Sequence, residues 1–117
     1  MPRDQKIDYV ELPASDFDTT QSFYSSTFGW TFQDYGPEYR AFSDGMLDGG
    51  FYKSDKQSST ANGAALVVLF AVDLEATQNA IVANGGQVRG EILTFPGGRR
   101  FHFLDPHGNE LAVWSDQ

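Results

Sequence analysis

The feature that most constrains this chain is an internal repeat in its order of strands, helices and turns. Identical residues recur at an offset of 57 positions: Asp16 with Asp73, Thr20 with Thr77, Gln21 with Gln78 and Gly29 with Gly86. In each half a strand precedes these matches, a helix spans them and three short strands follow. This pattern predicts two copies of a βαβββ unit; the alternative is coincidence within a generic α+β domain. Each unit has fewer than 60 residues, so we expect the two to share a core.

Hydrophobic periodicity and turn residues give the bounds of these elements. In the first unit we predict a strand at 7–12 that ends at Pro13, a helix capped by Ser15 or Asp16 and stopped by Gly29, and strands at 30–32, 39–42 and 50–52. In the second we predict a strand at 64–72, a helix from Asp73 to about Asn84, and strands at 88–93, 99–104 and 110–114. The polar stretch 54–62 has the composition of a surface linker. We therefore predict one domain over 1–117, with module 1 at about 6–53 and module 2 at about 63–115.

Composition excludes several classes of protein. The chain is 15% aromatic, which favours a packed core over disorder. It has no cysteine, so disulfides and thiol nucleophiles are excluded. The net charge of −8 argues against a nucleic-acid partner, which requires a basic face. The most apolar stretch, residues 64–72, is far shorter than the roughly 20 residues of a membrane helix. We expect a cytoplasmic protein without a membrane partner.

Three groups of residues carry a resemblance to a known family. They are residues 10–17 with Phe23-Tyr24 and Phe28-Gly29-Trp30, then Val72-Asp73-Leu74 with Asn84-Gly85-Gly86, and finally residues 103–111 around Asp105-Pro106-His107-Gly108-Asn109. Together they resemble the vicinal-oxygen-chelate superfamily of glyoxalase I, bleomycin-resistance proteins, fosfomycin-resistance enzymes and extradiol dioxygenases. The resemblance spans about residues 6–115. It implies an α+β fold in which two tandem βαβββ modules form a cupped mixed sheet with the helices outside.

The same resemblance locates the positions where metal-dependent members carry His, Glu or Gln ligands. These positions are Tyr9, Val67, Ala112 and a residue within 49–52. Valine and alanine cannot coordinate a divalent ion, and a shift of one residue adds at most one weak ligand. We therefore predict no metal and no cofactor, and we do not expect metal-dependent glyoxalase I or dioxygenase activity. A nonstandard site built from Glu11, His102 and Glu110 is the alternative.

Strand alternation predicts which side chains line the inner surface of the cup. Combined with the family positions, it gives these ligand-binding candidates: Tyr9, Glu11, Val67, Arg100, His102, Ala112 and Trp114. Aromatic walls with a few polar groups are typical of a small-molecule site. Each residue also has a structural alternative, such as a Glu11–Arg100 ion pair or a Glu110 that serves only the hairpin. His102 has no identifiable orienting partner in the sequence, and we expect His107 to be exposed in its turn.

Three functions remain open at this point. The first is metal-free binding of a cationic or aromatic small molecule, as in the bleomycin-resistance branch that the chain resembles. The second is a lyase, isomerase or dioxygenase-type enzyme, whose catalytic candidates are Glu11, His102 and Glu110. The third is a regulatory domain without small-molecule chemistry. The resemblance also implies a homodimer, with sheets side by side or with modules exchanged through a flexible linker.

Overall fold

The computed structural model describes residues 2–117 and confirms the repeated order of elements. The first unit consists of β1 (Tyr9–Ala14), α1 (Phe17–Phe28), β2 (Thr31–Asp34), β3 (Tyr39–Ser43) and β4 (Asp48–Lys53). The second consists of β5 (Val67–Phe70), α2 (Leu74–Ala83), β6 (Gln87–Phe95), β7 (Gly98–Leu104) and β8 (Glu110–Ser115). The α+β fold with two tandem βαβββ modules is therefore as predicted. Within residues 2–117 no helix is long and apolar enough to cross a membrane.

Each unit forms its own four-stranded mixed sheet. The strand orders are β1-β4-β3-β2 and β5-β8-β7-β6. In both sheets the first strand pairs in parallel with the last strand of its unit, and the other pairs are antiparallel. Both β1 and β5 lie at a sheet edge, so within residues 2–117 each leaves one side of its backbone without a strand partner.

The first helix begins and ends where its capping residues predict. The Asp16 carboxylate accepts hydrogen bonds from the Thr19 amide at 3.1 Å and the Thr19 hydroxyl at 2.9 Å, so Asp16 is the N-cap. The helix stops at Gly29, whose φ of 75° is in the left-handed region that glycine adopts without strain. In the same way Asp73 caps α2 by accepting a hydrogen bond from the Ala76 amide at 3.0 Å.

One hydrophobic core joins the helix-bearing faces of both sheets. Phe23 and Phe28 of α1 pack against Phe103 of β7, with ring centroids 6.2 and 5.9 Å apart. The core also contains Leu12 and Phe51 from the first sheet and buried leucine, isoleucine, valine and phenylalanine side chains from the second unit. Each sheet turns its helix-bearing face towards this core. The opposite, concave face of each sheet is therefore directed away from the core.

Three expectations about chain segments need correction. The fifth strand has only four residues, Val67–Phe70, where a strand over 64–72 was expected. The first strand does not end at Pro13: it runs to Ala14, and Pro13 is in register with Tyr52 of β4. Proline is tolerated there because β1 is an edge strand that pairs on one side only. The linker is not a free coil, since it contains a 3₁₀ turn at Thr60–Asn62. It also bonds to the last hairpin: the Ser58 amide donates to Asn109 Oδ1 at 2.9 Å.

Candidate functional site

The concave face of the first sheet carries tyrosines and carboxylates. Alternation along β1 directs Tyr9 and Glu11 away from the core, and their register partners Asp48 and Gly50 on β4 share that face. A groove of about 500 Å³ opens there, and its lining includes Tyr9, Tyr35 and Asp48. The first concave face therefore combines aromatic rings with negative charge.

Three side chains of this face form a chain of hydrogen bonds. The Tyr39 hydroxyl donates to Glu11 Oε2 at 2.7 Å and lies 2.8 Å from the Tyr9 hydroxyl, which is therefore the donor in that second bond. Burial, followed by the bonds to Tyr9 and Glu11, raises the pKa of the Tyr39 hydroxyl above its usual range, so it remains a donor to Glu11. Gly50 makes room for this arrangement, because a β-carbon there would collide with the ring and hydroxyl of Tyr39.

The concave face of the second sheet is arranged in rows that cross its strands, because residues in register on neighbouring strands share a face. One row consists of Leu93, Arg100, Trp114 and Phe70. The next consists of Arg89, His102, Ala112 and Val68. Phe70 is 52% exposed, and its ring meets Trp114 edge to face with centroids 5.1 Å apart. This face therefore presents an aromatic patch with a guanidinium group beside it.

Four residues next to this patch form a polar chain. Arg100 Nη2 lies 3.0 Å from His102 Nε2, and His102 Nδ1 lies 2.7 Å from Glu110 Oε2. Arginine can only donate, so Nε2 of His102 is the acceptor and Nδ1–H donates to Glu110. Glu110 Oε1 accepts from the Thr60 amide and hydroxyl, both at 2.8 Å. These bonds, led by the Thr60 amide, lower the pKa of Glu110 to about 2.

The structure divides the predicted site residues between the two faces. Tyr9 and Glu11 lie on the first concave face. The second carries Arg100, His102, Glu110, Ala112 and Trp114. Among the hydrogen bonds and ion pairs of residues 2–117, none joins a side chain of the first face to a side chain of the second.

Val67 lies on neither concave face. It is in register with Leu111 and packs against the hydrophobic core. Its neighbour Val68, in register with Ala112, lies on the concave side and is 43% exposed. The placement of Val67 in the cup was therefore wrong by one residue. All four residues of β5 are apolar, so alternation could not distinguish its two faces.

Both histidines have partners that the sequence did not indicate. His102 is oriented by Glu110 on the adjacent strand, whereas no orienting partner was predicted. His107 was expected to be exposed, but its Nε2 lies 2.7 Å from the Lys56 carbonyl and its Nδ1 lies 3.3 Å from the Ser15 amide. It therefore links the linker to the end of β1. Of the structural alternatives, a Glu11–Arg100 ion pair is not among the ion pairs of residues 2–117.

Two residues that hydrogen-bond to the candidate glutamates, Tyr39 and Thr60, were not predicted from the sequence. Tyr39 lies three positions before the buried Phe42 on β3, so alternation from Phe42 would have directed it to the concave side. Thr60 lies in the linker, fifty positions before Glu110, and no local pattern connects the two.

The residues present do not fit the metal centre that the resemblance implies. Within residues 2–117 no three His, Asp or Glu side chains are close enough together to hold a metal ion. On the second face, the concave positions of β5 and β8 that stand in register are Val68 and Ala112, which have no donor atoms. His102 and Glu110 are already bonded to each other, and Glu11 is on the other sheet.

Comparison with known protein families gives one match over most of the chain. The model of the Glyoxalase/Bleomycin resistance protein/Dioxygenase superfamily matches residues 6–113. Among solved structures, a glyoxalase-related enzyme from Fulvimarina pelagi superposes with a TM-score of 0.77 at 17% identity, covering 95% of this chain and 88% of that one. This likeness concerns the fold alone.

Two relatives in sequence are informative. The anthracycline biosynthesis protein DauV of Streptomyces sp. (strain C5) is 33% identical over 116 residues, which cover 92% of this chain and 40% of that protein. A glyoxylase-like domain-containing protein of Didymella fabae is 29% identical, with 92% of this chain and 91% of the relative covered. The chain therefore spans about two fifths of the first relative and nearly all of the second.

Proposed function

The chain belongs to the glyoxalase/bleomycin resistance protein/dioxygenase superfamily, and from this premise we propose that it binds a flat aromatic small molecule on its concave faces without a metal ion. The observation that carries the proposal is the row formed by Phe70, Trp114 and Arg100 on the second face. Large rings beside a few polar groups provide contact area and orientation together. The residues at the family's ligand positions give no set of donors for a metal.

The similarity to an anthracycline biosynthesis protein supports a flat aromatic ligand. Anthracyclines contain fused rings, and a ring of this kind can stack on Trp114 or Phe70. The first concave face suits a cationic group of the ligand, because Glu11 and Asp48 lie among tyrosines there. The net charge of −8 also favours a cationic ligand. The proposed ligand is therefore aromatic, with any cationic group directed to the first face.

We also propose that two copies of the chain form the complete site. Within one chain the two concave faces belong to separate sheets, and the outer edges of β1 and β5 have no strand partner among residues 2–117. A homodimer that sets the first face of one copy against the second face of its partner would unite the acidic and basic groups.

The binding experiment uses the two tryptophans as internal reporters. Trp30 is buried and stacked between Tyr24 and Phe42, so it should be insensitive to a ligand, whereas Trp114 should be quenched. We expect an anthracycline or another flat aromatic compound to quench wild-type fluorescence saturably. Trp114→Phe should lose that quenching and bind about tenfold or more weakly, whereas Trp30→Phe should keep it.

The same titration tests independence from metal. Protein treated with a chelator should bind the compound with unchanged affinity. If binding disappears on chelation and returns with a divalent ion, the metal-free part of the proposal is wrong. Flat responses across a panel of neutral, cationic and anionic aromatic compounds would reject the proposed binding as a whole.

A second candidate, metal-free proton transfer by an enzyme, rests on the His102–Glu110 pair. A carboxylate that orients histidine is a common part of acid–base sites. Here, however, the Nε2 lone pair already accepts a hydrogen bond from Arg100. Both ring nitrogens of His102 are therefore engaged, and neither is available to take a proton from a substrate. For this reason we favour binding over catalysis.

A further inference from the structure

Arg100 lies within an apolar row on the second concave face. Its register partners are Leu93 on one side and Trp114 on the other, with Phe70 beyond. The neighbouring Arg99 faces the opposite side of the sheet, where its guanidinium binds Glu75 of α2 at 2.6 Å. Consecutive arginines of β7 therefore have different surroundings, one paired with a carboxylate and the other placed among aromatic and aliphatic side chains.

Arg100 has no carboxylate partner among residues 2–117, where the ion pairs are made by Arg40, Arg99 and His102. The hydrogen bond of its side chain goes to Nε2 of His102. The guanidinium has five N–H donors, and among residues 2–117 its only hydrogen-bond partner is His102. A half-buried cation without a counter-ion is an uncommon arrangement, because partial desolvation of the charge is left uncompensated.

A chain of hydrogen bonds fixes the orientation of the Arg100 side chain. His102 receives its N–H group, Glu110 receives the N–H of His102, and Thr60 holds Glu110. Such a chain restricts the rotamers of the arginine before any ligand arrives, which reduces the entropy cost of binding. A guanidinium prepared in this way matches the planar, two-oxygen geometry of a carboxylate.

We propose that Arg100 binds a carboxylate or equivalent anionic oxygen group of the aromatic ligand, whose ring lies against Trp114 and Phe70. This inference rests on the proposed function and adds the ligand's second chemical feature. The chain's net charge of −8 repels anions at long range, so a preference for an anion must come from a local group. Glu11 and Asp48 suit a cationic group at the opposite face, and the two faces would then orient the ligand.

A matched pair of probes tests the proposal: anthracene-2-carboxylate and anthracene-2-carboxamide, which share a ring system and differ in charge. Binding is followed by fluorescence anisotropy of the probe at pH 7. We expect wild-type protein to bind the acid about tenfold more tightly than the amide. Arg100→Gln should abolish this preference by weakening acid binding alone. Arg99→Gln, with the same change of charge on the opposite face, should retain it.

The outcomes separate this inference from the function on which it rests. If wild type binds both probes equally well, Arg100 does not select an anion, although binding of aromatic compounds stands. If Arg99→Gln loses the preference for the acid as fully as Arg100→Gln, the preference is caused by the total charge of the protein and the inference fails. If neither probe binds, both proposals fail. Circular dichroism and thermal unfolding of each variant confirm that it is folded.

Discussion

At the scale of single residues, Glu110 connects the polar segment 54–62 to the second concave face. Its carboxylate accepts from the Thr60 amide, the Thr60 hydroxyl and His102 Nδ1. Charge-assisted bonds of this kind hold their partners more firmly than neutral ones. The carboxylate thereby connects the turn at Thr60–Asn62 to the support of Arg100.

We predict that Glu110→Gln lowers the free energy of unfolding by about 1–3 kcal/mol at pH 7. The pKa of Glu110 is lowered in the fold to about 2 from 4.5. Its stabilisation is therefore fully present above pH 4.5 and is lost as the pH falls towards 2. Urea denaturation at pH 7 and pH 3 should show a smaller difference between wild type and variant at pH 3.

The exposed Glu91 on β6 provides the matched control for this prediction. Glu91→Gln removes the same charge but should change stability by less than about 0.5 kcal/mol at both pH values. A difference for Glu110→Gln that stays constant between pH 7 and pH 3 would contradict the role given to its carboxylate.

At the scale of elements, the last hairpin fastens the second unit to the first. The Tyr24 hydroxyl of α1 donates to Asp105 Oδ2 at 2.8 Å, and Asn109 Nδ2 donates to the Pro13 carbonyl of β1 at 2.8 Å. Asp105 and Asn109 are almost fully buried. Burial raises the pKa of Asp105, while the bonds from Tyr24 and Asn109 oppose this effect. The turn residues that carry the family resemblance thus also join the two units.

We predict that Tyr24→Phe destabilises the protein by about 1–3 kcal/mol, because a buried carboxylate loses a donor while the aromatic packing is retained. Burial favours the protonated form of Asp105, so the penalty should shrink as the pH falls towards the raised pKa of that group. Chemical denaturation across acidic and neutral pH measures both effects.

Tyr52→Phe is the matched control, since Tyr52 is 39% exposed and its hydroxyl makes no hydrogen bond within residues 2–117. It should leave stability almost unchanged. Equal losses of unfolding free energy for the two variants would show that the Tyr24–Asp105 hydrogen bond does not stabilise the fold.

At the scale of the whole molecule, the division of the candidate residues between two sheets has consequences for assembly. We predict a particle of twice the 13.0 kDa chain mass by light scattering. A 13.0 kDa particle at all concentrations would exclude the dimer and with it a site shared between copies.

Mixing two binding-deficient variants tests the shared site directly. Tyr39→Ala alters the first face and Trp114→Ala alters the second, so neither homodimer should bind ligand. In a shared-site dimer, mixed dimers contain one intact site, and random exchange should restore about one quarter of wild-type capacity. If the mixture stays inactive although exchange is demonstrated by labelled chains, each site belongs to a single chain.

The sequence by itself determined the order of elements, the N-cap of α2 and the turn glycine at position 29, because these depend on contacts within a few residues. For α1 it left Ser15 and Asp16 open, and the bonds from Thr19 decide for Asp16. It also directed Tyr9, Glu11, Arg100, His102, Ala112 and Trp114 to concave faces, since alternation in these strands is anchored by clearly buried neighbours. Only the tertiary structure decided the register of β5, where four apolar residues carry no alternation, and moved the concave position from Val67 to Val68. It alone joined Thr60 to Glu110 across fifty positions, and it alone divided the candidate residues between two sheets. Those features depend on how sheets and helices pack, and packing is set by side chains that are distant along the chain.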